Sequence, residues 1–247
     1  MISSFDDYMI HQNSEPVNQP GPSDRNFYDR YWFTGFDAEG DFAFEVGFGL
    51  YPNRQVMDGH FSISTEGHQH SFHASRRAPQ ERSESNIGPL SIEVVEPMRA
   101  IRVRVTANDT GIECDLLFRS CTVATQEPKS TMREGSRIIM DTTRFTQFGS
   151  WEGHWVVNGV RRNVAAKETM GIRDRSWGVR PVGEPEAGAP GLLTSEPGVY
   201  WTWSPVFFDD FCTQFGTFED HDGNATQLGG ARVPRYRDQS EMPLNEE

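Results

Sequence analysis

Cysteine is scarce in this chain: Cys114, Cys121 and Cys212 are the three in 247 residues. An odd and sparse set does not build a disulfide framework, so reduced, partly buried thiols are expected. Lysine is scarcer still, with only Lys129 and Lys167 beside the arginines, and the formal net charge is -13. A chain of that sign repels phosphate backbones, which argues against nucleic acid as a partner. No apolar run approaches the ~20 residues that span a bilayer. The stretch Met1 to Tyr8 has neither a basic region nor an apolar run, so no signal peptide is visible. No membrane insertion and a cytoplasmic location are expected. Several chemical signatures are also missing: there is no Walker A loop, no Gly-x-Gly-x-x-Gly, no Gly-x-Ser-x-Gly and no Cys-x-x-Cys. Nucleotide chemistry and zinc ribbons therefore have no support, and no cofactor is expected. No long segment has a helical period.

What the chain does have is alternation. Phe42, Phe44, Val46, Phe48 and Leu50 fall on one face, with Ala43, Glu45, Gly47 and Gly49 on the other. That period of two predicts a half-buried strand. Ile101, Val103 and Val105 alternate with Arg102 and Arg104 in the same way. Segments 90–95, 113–120 and 68–74 are further strand candidates. Tight turns are expected at 37–40, 108–111 and 220–224, and Asn158-Gly159 suits a type I′ hairpin. Segment 131–141 is read as a short helix. Many short strands at even spacing predict an all-β, antiparallel architecture of sandwich or barrel type. The polar stretch 127–135 suggests a boundary. The expected organisation is an extended lead-in over 1–24, a β domain over 25–126, a second over 136–234 and a polar, fraying tail over 235–247.

Three groups of residues could carry chemistry. His68 and His70 share a face of their predicted strand, and His60 on a neighbouring strand could complete a metal site. No carboxylate follows at a convincing position, which keeps this the weak alternative. The aromatic set Trp151, Trp155, Trp201, Trp203, Phe207, Phe208 and Phe211 reads first as core. Its functional alternative is the lining of an apolar pocket, with Trp201 and Trp203 on one face. The most specific stretch is Gly171-Ile172-Arg173-Asp174-Arg175-Ser176-Trp177-Gly178. On a strand, Asp174 shares its face with Ile172 and Ser176, while Arg173 and Arg175 point the other way. A carboxyl facing a barrel interior would have its pKa raised. The bland alternative is a carboxylate that caps the following loop. His154 is placed as a possible neighbour of Asp174 across the sheet.

That stretch resembles the Gly-x-x-Asp-His-x-Trp-Gly signature of the AttH/carotenoid hydratase (hydroxyneurosporene synthase) group, and is most like its bacterial relatives without assigned function. Phe27 to Trp32 and the region from Trp201 to Phe215 are similar to the same relatives. The resemblance implies two tandem lipocalin-like β-barrels, and Asp174 as proton donor to an alkene. Arg175 stands where the family has histidine, and Ile172 where the hydratases have an aromatic residue. Relatives usually carry a further Gly/His/Trp-containing segment, so the second barrel is expected to be incomplete.

Two functions follow. One is a cofactor-free hydratase, lyase or isomerase for a hydrophobic terpenoid- or polyketide-like molecule. Asp174 and His154 would be catalytic, and Arg173, Arg175, Trp177, Trp201, Trp203 and Phe207 would bind the ligand. The other is a non-catalytic lipocalin-like protein that binds an apolar small molecule, a reading that the two departures from the signature favour.

Overall fold

In a computed structural model, which describes Phe5 and residues 8–183 and 200–243, the chain is almost entirely β. Eight strands come first: β1 (Phe27–Asp37), β2 (Phe42–Tyr51), β3 (Val56–Thr65), β4 (His68–Arg77), β5 (Asn86–Ile87), β6 (Leu90–Glu96), β7 (Ala100–Val105) and β8 (Ile112–Ser120). The next five are β9 (Thr125–Gln126), β10 (Ser130–Glu134), β11 (Arg137–Val157), β12 (Val160–Val164) and β13 (Thr169–Val179). Three more, β14 (Tyr200–Phe207), β15 (Phe211–Glu219) and β16 (Ala225–Pro234), form a separate sheet.

The large sheet runs β4-β3-β2-β1-β13-β11-β8-β7-β6-β5. Its ends curl together: β5 and β6 lie against β3 and β4, and Arg76 on β4 donates to the carbonyl of Asn86 on β5 (3.0 Å). The result is a nearly closed barrel. Its interior is filled by the alternating faces legible in the sequence, among them Phe44, Val46, Phe48, Phe61, Val103, Leu116 and Phe118 around Trp151. Burying this aromatic-rich face is the main drive to fold, because each ring removes a large apolar area from water.

The strands expected to form two successive units contribute to one sheet, since β11 and β13 lie between β1 and β8. The small sheet packs on the outer face of β1, β13 and β11, where Phe148, Ile172, Cys212 and Val233 make a second core with Trp203 and Phe207 against it.

The expected turns are present. Asn158 and Gly159 take φ of 50° and 79°, as a type I′ hairpin between β11 and β12 requires. Two expectations are corrected. Segment 131–141 is not a helix but the β10–β11 hairpin, turning at Gly135 with φ 57°. Its backbone pairs with the exposed edge of β11, and that pairing outweighs local propensity. The described part of the tail, 235–243, does not fray: the Tyr236 amide donates to the Cys121 carbonyl (2.7 Å), Gln239 Nε2 donates to the Ser120 carbonyl (2.8 Å), and Met242 is buried.

Candidate functional site

Residues paired across an antiparallel sheet point to the same face, so the register assembles the site. One row crosses seven strands: Thr125, Thr146, Asp174, Trp32, Gly47, His60 and His73, from β9 through β11, β13, β1, β2 and β3 to β4. The next row carries Arg144, Ser176, Arg30, Gly49, Asp58 and Ser75. Both rows lie on the outer face of the barrel wall. Gly47 and Gly49 leave a trough at β2. The His60 ring folds over Gly47, where a Cβ would come within 2.3 Å of it, and the Tyr51 ring covers Gly49. A cavity of about 650 Å³ opens here, walled by Arg30, Trp32, Tyr51, Asp58, His60 and His73.

Titratable groups on this face are perturbed, which is common where chemistry is done. Burial lowers the pKa of His60, partly offset by Glu45, whose Oε1 is 3.4 Å from Nε2. Burial raises Asp58 against the pull of His60 and Arg30. Burial and the Asp58 charge raise Tyr51. Asp174 belongs to the same set. Its side chain is 15 % exposed, and burial raises its pKa although Arg144 Nε sits 2.8 Å from Oδ2. Arg144 also faces Glu127 (3.5 Å), which accepts from Thr146 Oγ1 (2.7 Å). About three strand spacings of ~4.8 Å separate Asp174 from His60. Trp32 lies between them, and its ring meets that of Trp203 edge-on at 5.8 Å. The buried indole N–H of Trp203 has no acceptor among the described residues.

The signature segment divides by face, with its sides exchanged relative to expectation. Asp174, Ile172 and Ser176 look outward, Ile172 into the second core beneath the small sheet, and the arginines enter the barrel. Arg173 is 3 % exposed. Its Nε donates to Gln147 Oε1 (2.7 Å), its guanidinium lies 5.2 Å from the centroid of the Phe145 ring, and burial lowers its pKa to about 10. Arg175 pairs with Asp29 and stacks on Tyr31. Trp177 lies on this inner face too, edge-on to Phe145. These three residues are thus remote from the outer trough. The signature glycines serve packing: a Cβ on Gly171 would come 2.4 Å from the Trp151 indole nitrogen, and Gly178 has φ 131° with the Asp141 carbonyl 2.1 Å from where its Cβ would stand.

His154 is corrected as well. It pairs with Asp115 and Asn163, eight residues along β11 from Thr146, the partner of Asp174. At ~3.3 Å per residue that is about 26 Å away. The three-histidine metal set does not assemble either. His60 pairs with His73 (ring centroids 5.5 Å apart), and the pleat sends His68 and His70 to the opposite face of β4. Among the described residues, the one cluster of three metal-type donors is Asp220, His221 and Asp222, in the β15–β16 turn.

The aromatic set is split. Trp151 and Trp155 are core; Phe207 seals the second core against Phe36 and Phe148; Trp201 stacks on Trp203 and Phe218 but remains 48 % exposed. Phe208 is exposed and stacks on half-buried Phe211. Arg30, Trp32, Tyr51, Asp58 and His73 were not expected as site residues from the sequence, although Arg30 and Trp32 lie in the 27–32 stretch that carries part of the resemblance. Their signal was the glycine alternation Gly47-x-Gly49 opposite an apolar face, which only register connects to Trp32 and His60.

A family profile described as Family of unknown function (DUF8625) matches residues 2–247. No curated protein matches the sequence. Among solved structures, a candidate AttH from Nitrosomonas europaea aligns with a TM-score of 0.57 at 15% identity, over 90% of this chain and 70% of that one. Kievitone hydratase from Nectria haematococca aligns with a TM-score of 0.53 at 14% identity, over 83% of this chain and 64% of that one. The fold is therefore the lipocalin-like fold of AttH-type proteins, and this chain spans less than two thirds of the hydratase's length.

Proposed function

The chain belongs to the Family of unknown function DUF8625, and we propose that it is a cofactor-free hydratase or isomerase for a small organic molecule, with Asp174 as the proton donor. The observation that carries this reading is the cross-strand row that sets a buried carboxyl beside Trp32 and the glycine trough. The likeness to a hydratase fold supports it.

A substrate with an unsaturated, apolar body would lie along Trp32 and Trp203. Protonated Asp174 forms a C–H bond at one alkene carbon as the π bond breaks. The indole face of Trp32 shelters the cation. Water then adds its oxygen to the cation and returns a proton to the Asp174 carboxylate; in an isomerisation, loss of a neighbouring proton replaces that step. Arg144 stabilises the carboxylate left after proton delivery. The charged lining of the trough supplies partners for hydroxyl or other polar groups, so the ligand is not wholly hydrophobic.

Small-molecule extracts incubated in ¹⁸O-labelled water and D₂O would read the reaction by mass spectrometry. Label entering a metabolite with the wild type and not with Asp174→Asn, at unchanged circular dichroism, is the expected result. Equal labelling by both proteins would remove Asp174 from the chemistry. One observation favours a binding role without turnover: the Arg144–Asp174 ion pair, which favours the carboxylate and so opposes proton donation. In that case neither label enters any metabolite.

A further inference from the structure

The trough does not end at Tyr51. A second cavity, of about 660 Å³, shares Tyr51 and Asp58 with the first and continues to Arg25, Arg54 and Arg180. The two spaces are therefore adjacent lobes of one groove. The charged side chains of the second lobe are those three arginines and Asp58, a local excess of positive charge on a chain of net charge -13.

The arginines reach the lobe from three parts of the fold. Arg25 lies just before β1, Arg54 in the turn between β2 and β3, and Arg180 just after β13. Arg54 donates to Asn26 Oδ1 (2.6 Å), and Arg180 lies 5.5 Å from the centroid of the Tyr28 ring. Neither Arg25 nor Arg180 makes an ion pair among the described residues, whereas Arg82, Arg144 and Arg175 all do. Arg30 adds a fourth cation where the lobes meet. The other charges facing this junction are Asp58 and, further along the trough, Glu45, which is engaged with His60. Tyr51 keeps its proton, so its hydroxyl is available as a donor.

Converging guanidinium groups with a phenol donor are what an oxyanion requires, because each N–H bond to a carboxylate or phosphate is charge-assisted. We propose that the lobe around Arg25, Arg54 and Arg180 holds the anionic end, carboxylate or phosphate, of the molecule whose body lies in the Trp32 trough. This inference rests on the reading of the outer face as the ligand site and not on proton transfer by Asp174.

Calorimetric titration of the full chain with three probes tests it: naphthoate, naphthyl phosphate and naphthamide. The two anions carry the same ring as the neutral amide. At low ionic strength at least one anion is expected to bind at least tenfold more tightly than the amide, an advantage that added salt reduces. The better anion tells carboxylate from phosphate. Arg25→Ala alters an exposed side chain, and Arg180→Gln keeps much of the stem; both should erase most of the anion advantage and leave amide binding unchanged. Asp174→Asn should leave the anion-to-amide ratio intact, which separates this inference from the catalytic one. Equal affinity for amide and anions, no saturable binding of either anion, or an anion advantage that survives both arginine variants would overturn the proposal.

Discussion

Asp174 feels opposing influences. Burial favours its neutral form, the Glu127 charge pushes the same way, and Arg144 and Arg30 favour the carboxylate. The net shift is upward, so folding favours the protonated form relative to the unfolded chain. The sign for stability follows: this group's contribution is fully present below the ordinary aspartate pKa of about 3.9 and is lost as pH rises through the raised value. Arg144→Gln removes the nearest cation. The titration of Asp174 should then move to higher pH, read as the carboxyl ¹³C shift in NMR and as a matching move in the pH limb of any turnover. A limb that stays in place would mean that Arg144 does not govern the acid. The sequence exposed the alternation around Asp174 but not the sides. Two arginines inside a barrel run against the expectation that charges stay out. Arg173 is tolerated there because Gln147 and the Phe145 ring partner its guanidinium.

At the scale of strands, the signature segment is first a packing device. Trp151 touches Phe33, Phe44 and Phe118, and its indole nitrogen donates to the Thr34 carbonyl (3.0 Å) across bare Gly171. A methyl group at 171 has no space, so Gly171→Ala should cost about 1–3 kcal/mol by overpacking. Chemical denaturation checks this, and a change below a few tenths of that range would mean that Trp151 moves aside freely. The strands themselves were legible wherever one face is apolar, as in 42–50, 101–105 and 113–120. β10 was not, because neither of its faces is apolar and only its hydrogen bonds to β11 define it. The trough was hidden for a related reason. Asp174, Trp32 and His60 are far apart in sequence, and pairing through β13, β1, β2 and β3 alone makes them neighbours on one row.

Over the whole molecule, the two cores are unequal. The barrel core is continuous through β1 to β8, β11 and β12, whereas the small sheet is held by Cys212, Val233, Phe207 and Trp203 against Phe148 and Ile172. The outer side of that sheet leaves Val206, Phe215 and Leu228 between 40% and 62% exposed, so it gains little from burial. Local opening free energies follow the apolar area that each unit buries. Amide hydrogen exchange should therefore release β14 to β16 before β1, β11 and β13, at denaturant concentrations where the Trp151 and Trp155 environment in the barrel is still native. Phe207→Ala should widen that gap, because the ring that contacts Phe36 and Phe148 is lost, with little effect on protection of the barrel strands. Exchange of both sheets in a single step, with and without that substitution, would instead make the intersheet contact part of one cooperative core. The order matters for the proposed function, since opening of the small sheet would withdraw the Trp203 ring that meets Trp32 edge-on.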